Sequence, residues 1–169
     1  MMKILLLSDT HSYIDDRILS HAEKADEVWH AGDIGKVEVT DQIKQVSQLR
    51  AVYGNIDGEE IRREFPLHQK FNCDGIKVWM THIGGYPKRY VPSIHEALQQ
   101  QPPDLFISGH SHILKVMRDQ NLKLMHMNPG AAGVHGFHKE RTMLSFEICE
   151  AKLKNLQLIK LGLRGKTSL

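Results

Sequence analysis

The sequence predicts an α/β domain in which two packed β-sheets carry helices on their outer faces. Three observations lead there. The first half alternates short apolar runs with amphipathic helical patterns. After about residue 104 the pattern changes to consecutive strands joined by tight turns. The chain of 169 residues suits one domain, residues 1–169, with a substantial core, and two sheets with outer helices accommodate both halves.

In order, Lys3–Leu7 reads as a buried strand and Ile14–Ala25 as a helix with Ile14, Ile18 and Ala22 on one face. Asp26–His30 is a second strand, Val37–Leu49 a helix and Arg50–Tyr53 a third strand. Asp57 with Glu60 three residues on has the form of a capping box for a short helix ending before Phe65-Pro66. Phe71–Met80 reads as two strands around an Asp74-Gly75 type I′ turn. Pro92–Gln101 is a helix stopped by Pro102-Pro103, and Asp104–Ser108 is a strand. The strands Ile113–Arg118, Leu122–Met127, Thr142–Glu150 and Leu153–Leu161 follow, with hairpin turns at Asp119-Gln120-Asn121 and Glu150-Ala151-Lys152. The tail Arg164–Leu169 is polar enough to fray.

Chemistry-bearing residues gather at strand ends. Five apolar runs lead into Asp9-Thr10-His11, Gly32-Asp33, Gly54-Asn55, His82 and Gly109-His110-Ser111-His112. Taken singly, an Asp, Asn or His after a strand is an ordinary turn residue or helix cap. Five in succession are hard to credit as separate accidents, and in open α/β sheets the carboxyl ends of strands are where ligands bind. Gly32, Gly54 and Gly109 let the chain turn sharply and bring backbone close to an ion. Seven donors (two carboxylates, one amide, four imidazoles) exceed what one four-coordinate structural zinc needs. They suffice for two ions if a carboxylate is shared, and Asp33, near the middle of the group, is the natural bridge. Imidazole with oxygen suits Mn, Fe, Zn, Ni or Co.

Composition excludes other classes. A formal charge of +2 without basic blocks argues against long nucleic acid or an anionic membrane as partner. Cys73 and Cys149 stand far apart outside any CxxC, as small apolar residues in a reducing compartment. The run Ile4–Leu7 is too short for a signal sequence or membrane span, so a soluble, cytoplasmic protein is expected. A homo-oligomer is compatible with all of this.

In this order the motifs resemble the calcineurin-like metallophosphoesterases, in particular the small bacterial and archaeal phosphodiesterase branch related to the retromer scaffold subunit. They are Ser8-Asp9-Thr10-His11, His30-Ala31-Gly32-Asp33, Gly54-Asn55-Ile56-Asp57, Thr81-His82, Gly109-His110-Ser111-His112 and Asn128-Pro129-Gly130. The resemblance implies a four-layer αββα sandwich of two mixed sheets flanked by helices. It implies one divalent ion, manganese favoured, on Asp9, His11 and His112, a second on Asn55, His82 and His110, and Asp33 between them. Asp33 and Asn55 would be the catalytic pair, with Asn55 also touching a phosphate oxygen. The implied reaction is hydrolysis of a small phosphate ester, a diester above all, by a hydroxide bridging the two ions. Ile56 stands where larger phosphatases of the superfamily carry a histidine thought to protonate the leaving group. A nucleotide or phosphomonoester phosphatase and a non-catalytic protein-binding scaffold that retains metal are the alternatives.

Other residues carry two readings each. His30 either orients Asp33 or is simply packed and hydrogen-bonded. His126, His135 and His138 surround the loop from Asn128 to Gly133; the resemblance implies that this loop borders the metal cleft, the other reading is an ordinary turn, and His135 and His138 read as solvated turn residues. Gly84–Tyr90, with Lys88, Arg89 and two tyrosines, is a substrate-facing loop or an ordinary surface loop. His21, His68 and His95 read as surface residues.

Overall fold

A computed structural model describes residues 1–165; Lys166–Leu169, most of the tail expected to fray, lie outside the described residues. The elements in chain order are β1 (Met2–Leu7), α1 (Asp16–Ala22), β2 (Glu27–His30), α2 (Val37–Val46), β3 (Gln48–Ala51), α3 (Glu59–Glu64), β4 (His68–Cys73), β5 (Ile76–Thr81), β6 (Gly85–Tyr86), β7 (Arg89–Tyr90), α4 (Pro92–Gln100), β8 (Leu105–Ile107), β9 (Leu114–Asp119), β10 (Leu124–Pro129), β11 (Glu140–Cys149) and β12 (Lys152–Leu163).

One sheet has the order β12-β11-β1-β2-β3 and the other β4-β5-β8-β10-β9. Both are mixed: β1, β2 and β3 are mutually parallel, as are β5, β8 and β10, with antiparallel strands outside them. The parallel strands are apolar runs because both their faces are covered. In β1, Ile4 and Leu6 point between the sheets, against Trp29, Val78, Met80, Ile107 and Phe146. Leu5 and Leu7 point outward into a second core with Ile18 of α1, Ile43 of α2 and Ile61 of α3. A third core lies on the far face of the other sheet, where Ile94 and Leu98 of α4 cover Trp79, Phe106 and Leu124. The layers are therefore helix, sheet, sheet, helix, the αββα sandwich expected. Each fully buried Leu or Ile in them contributes about 1.5–3 kcal/mol of transfer free energy.

Several boundaries differ from expectation. Helix α1 starts at Asp16 because Asp15 is extended and its carboxylate accepts from Ile18 N at 3.0 Å, an N-cap that leaves Ile14 outside. Strand β3 covers Gln48–Ala51 instead of Arg50–Tyr53. Its register follows parallel pairing with β2, Glu27 opposite Gln48 and His30 opposite Ala51, so an edge position overrides the apolar content of Val52-Tyr53. The Asp74-Gly75 turn has φ +44° and +89°, the type I′ geometry expected. The β6–β7 hairpin within Gly84–Tyr90 had no sequence signal beyond its glycines and aromatics.

Among the described residues, no helix is long and apolar enough to cross a membrane. Cys73 is buried and Cys149 half-buried, both as free thiols.

Candidate metal centre

The five loops that follow β1, β2, β3, β5 and β8 meet at one end of the two sheets. Backbone hydrogen bonds zip the first two together: Asp9 N donates to Gly32 O (3.0 Å), His11 N to Asp33 O (3.0 Å) and Ser12 N to Ile34 O (2.8 Å). Gly109 N donates to His82 O (2.9 Å), joining the last two. The cost of this convergence is visible in the backbone. Asp9 (φ +54°), His11 (+46°), Asp33 (+53°), His110 (+68°) and His112 (+57°) all lie in the left-handed region. Non-glycine residues rarely go there, and a cluster of them marks a functional site.

The side chains form two groups whose candidate donor atoms lie within 4.8 Å of one another: Asp9, His11 and His112; and Asp33, His82 and His110. In the first, His112 Nε2 is 3.2 Å from Asp9 Oδ1 and 3.3 Å from His11 Nε2. Asp33 joins the two, with Oδ2 3.6 Å from His11 Nε2 and Oδ1 3.2 Å from His82 Nε2. Asn55 lines the same cleft, with Ile56 beside it. The structure brings Asp9, His11 and His112 together, and His82 and His110 together with Asp33, while Asn55 of the expected second set stands at the cleft lining.

Asp9 Oδ1 and His82 Nε2 are buried and have no hydrogen-bond partner. His82 Nε2 approaches Asp33 without hydrogen-bond alignment. Orphaned polar atoms of this kind are costly in a protein interior. Here an acceptor and an imidazole face one small space, an arrangement that suits divalent cations with mixed oxygen and nitrogen donors. The donor set therefore fits metal.

The remaining atoms of these side chains are held by their neighbours. Asp9 Oδ2 accepts from Ser8 Oγ (2.6 Å) and His110 N (3.1 Å), which leaves Oδ1 free. His82 Nδ1 faces the Ala31 carbonyl at 2.7 Å; a carbonyl only accepts, so the proton sits on Nδ1 and the Nε2 lone pair is exposed to the site. Burial pushes the Asp33 carboxyl up, but the nearby His82 ring, the Ile56 N–H and His11 outweigh it, so Asp33 stays ionised.

Glycines serve the ligands more than the ions. A Cβ at Gly32 (φ +94°) would stand 2.6 Å from His82 Nδ1, and one at Gly54 would overlap the Asp33 carboxylate.

His138, expected to be a solvated turn residue, is a partner of His112. Its Nε2 faces the Gly133 carbonyl at 2.9 Å, so Nε2 carries the proton and Nδ1 accepts from His112 Nδ1 at 3.2 Å. That chain leaves His112 Nε2 unprotonated toward Asp9. His135 is exposed, as expected, but its ring centroid lies 5.0 Å from that of His11 at the cleft mouth. His30 is packed and hydrogen-bonded, to Thr10 Oγ1 (2.9 Å) and Gly32 N (3.2 Å), and so pins the loops carrying Asp9 and Asp33. Asn128 donates to Gly109 O (2.9 Å) and Ser111 Oγ (3.1 Å), clasping the loop that carries His110. His21 is half-buried, and His68 and His95 are exposed.

Asp57 does not cap α3; Gly58 occupies that position without a side-chain bond. The Asp57 carboxylate instead accepts from Gly35 N (2.7 Å), Ile34 N (3.1 Å) and Gly54 N (2.7 Å), joining the Asp33 and Asn55 loops. Its burial at 3% exposure makes those three bonds hard to replace with water. Asp57→Ala should cost on the order of 3 kcal/mol, since it leaves buried N–H groups without an acceptor. Chemical denaturation checks this, and a loss below about 1 kcal/mol would mean that water takes over the carboxylate's work.

The sequence model of the calcineurin-like phosphoesterase superfamily domain matches residues 2–151. The chain belongs to this superfamily. The probable metallophosphoesterase of Mycoplasma pneumoniae is 32% identical over 139 residues, 78% of this chain and 79% of that one. Among solved structures, an archaeal phosphodiesterase superposes with a TM-score of 0.72 at 23% identity, over 95% of this chain and all (100%) of the other. Wild-type Vps29 from Entamoeba histolytica, solved with Zn²⁺, superposes with a TM-score of 0.73 at 17% identity, over 95% and 99%. At these identities the structural likenesses establish the calcineurin-like phosphoesterase fold, and the family assignment makes metal-dependent phosphoester chemistry the frame for the site.

Proposed function

We propose that this calcineurin-like phosphoesterase is a two-metal phosphodiesterase acting on a small ester. The observation that carries the reading is the pair of carboxylate–imidazole groups sharing Asp33, with Asp9 Oδ1 and His82 Nε2 buried and unpartnered. Asp9, His11 and His112 would hold one divalent ion and Asn55, His82 and His110 the other, with Asp33 common to both. Manganese is favoured, and Fe, Zn, Ni or Co suit the same donors. Two such ions supply a water nucleophile at neutral pH and neutralise charge on the phosphoryl group. The chain's own contribution is to present unprotonated Nε2 atoms on His82 and His112, to keep Asp33 ionised between the groups, and to bring Asn55 to the cleft wall.

Charge at the cleft favours a diester. The cleft, about 590 Å³, is lined by the candidate ligands His11, Asp33, Asn55, His110 and His112 and by Ile56, Ser111, Ile113, His135, Gly136, Phe137 and His138, with no Lys or Arg among them. A monoester dianion would bring a second negative charge that none of these lining residues meets with a cation, Arg62 and Lys115 lining the adjoining pockets instead, whereas a diester brings one. Ile56 is exposed at the rim and offers no proton to a leaving group. Positioned general acids contribute about 10²–10⁴-fold, so this enzyme depends on the leaving group's own stability.

The test uses metal-stripped protein with Mn²⁺, Ni²⁺ or Zn²⁺ restored. Bis(p-nitrophenyl) phosphate should be turned over faster than p-nitrophenyl phosphate, and a His82→Ala variant should lose the activity. Across a series of aryl and alkyl diesters, log rate should fall steeply with leaving-group pKa; a flat slope would show that some other residue delivers the proton. The collar of exposed apolar side chains, Ile56, Ile83, Ile113 and Phe137, favours a protein-binding scaffold as the second reading, and bound metal without turnover of any diester would select it. A cytoplasmic setting, in keeping with the free thiols of Cys73 and Cys149, belongs to the same proposal.

A further inference from the structure

Beside the candidate metal centre a second cavity of about 250 Å³ lies between the β6–β7 hairpin and the outer face of the sheet that carries β10. Its walls include Ile83, Tyr86, Val91 and Ile113, and it shares His110, Ser111 and Ile113 with the metal cleft. The hairpin wall is fixed: Ser108 Oγ donates to Gly85 O (3.0 Å) and Val91 N to Gly84 O (3.2 Å). Lys115 also lines the cavity, but its ammonium sits 3.6 Å from the Tyr86 ring centroid and so braces that wall.

His126 is the anomaly. It lines this cavity at 1% exposure, and neither of its ring nitrogens has a hydrogen-bond partner. Burial pushes the ring to about 4, against a weaker opposing pull from the Phe106 backbone, which stays outside hydrogen-bond geometry. The imidazole is therefore neutral, with one donor and one acceptor to offer. A buried polar pair of this kind calls for an explanation, and a group entering the cavity supplies one.

We propose that this cavity is the subsite for one ester arm of the diester, an aromatic ring bearing a hydrogen-bonding atom that meets His126. The inference rests on the phosphodiesterase reading, because only a diester carries a second arm to be housed beside the phosphoryl group. The apolar walls suit the faces of a ring, His126 suits one polar ring substituent, and the volume is that of a small group.

The test follows the His126 Cε1–H signal by NMR in the Zn²⁺-loaded full chain. It is titrated with dimethyl phosphate, methyl phenyl phosphate and methyl 3-hydroxyphenyl phosphate, simple diesters whose leaving groups are poor. The phenyl ester should bind about tenfold tighter than the dimethyl ester, a gain in the range expected for burying one ring against the cost of fixing it. The His126 signal should shift with it, and the hydroxyl should add a further gain that His126→Leu removes. Tyr86→Ala, on the opposite wall, should reduce the phenyl preference. Equal affinities with an unmoved His126 signal would overturn the subsite, even if bis(p-nitrophenyl) phosphate is hydrolysed and the phosphodiesterase reading stands. A shifted signal with phenyl preference, but no turnover of any diester, would keep the pocket and remove the phosphodiesterase.

Discussion

Asp33→Asn should lower kcat/KM for bis(p-nitrophenyl) phosphate by about 10³-fold or more, roughly 4 kcal/mol of transition-state stabilisation. Asp33 turns one oxygen to each donor group, Oδ2 toward His11 and Oδ1 toward His82, whereas Asp9 approaches both groups with Oδ1 alone. An amide keeps the shape but replaces one oxygen with an NH₂ group. Whichever way it is turned, a donor then faces one of the two sites, and the shared negative charge is gone. The variant should also hold less metal than the wild type, measured by elemental analysis after dialysis. Retention of both metal and rate to within about tenfold would show that the two groups work independently of Asp33.

Metal should raise the melting temperature by roughly 10 °C. A ligand at about 1,000 times its dissociation constant stabilises by about 4 kcal/mol, and in a chain of this size each kcal/mol moves the midpoint by about 2–4 °C. The source of the gain is local: without an ion, Asp9 Oδ1 and His82 Nε2 are buried beside each other, 3.9 Å apart, with their polar needs unmet. Chelator should reverse the shift, and His82→Ala should shrink it. Protons compete for the same ring: burial lowers the His82 pKa, but Asp33 and Asp9 outweigh it and hold the value above the ordinary one. Below that raised value the ring carries a proton and cannot ligate, so the metal-induced gain should diminish as pH falls through the imidazole range. A shift of under about 2 °C with every metal tried would show that the orphaned atoms are not ligands.

Much of this molecule is legible in the chain because it is written locally. The run Lys-Ile-Leu-Leu-Leu is apolar on alternate residues in both directions, so a strand covered on both faces is the simplest outcome, and β1 is such a strand. Asp74-Gly75 specifies its turn through φ alone. The order of Asp, His and Asn residues at five strand ends carries the family resemblance without any knowledge of distances. Edge strands were harder. In β3 the burial pattern is weak, and pairing with β2 places the strand two residues earlier than its apolar content suggests.

Side-chain partnerships were the least legible. Asp57 followed by Glu60 has the spacing of a capping box, yet its carboxylate reaches back 22 and 23 residues to Gly35 and Ile34. His138 sits in a glycine-rich turn that reads as solvated, yet it holds the tautomer of His112, 26 residues away. His126 looks like one more histidine near a loop until the sheet buries it with both nitrogens unpaired.

Apart from the β6–β7 hairpin and the edges of elements such as β3, the strands and helices are readable from the chain, as are the residue types at the strand ends and, through their order, the family to which the chain belongs. Those properties follow from burial period and turn chemistry, which act over a few neighbouring residues. Packing of the two sheets sets the rest: Asp33 faces both donor groups, Asp9 and His82 keep an atom each without a partner, and Asp57, His138 and His126 have the neighbours they do. A hydrogen bond needs its partners placed to within a few tenths of an ångström, and between loops so far apart in the chain that placement is set by how the two sheets pack.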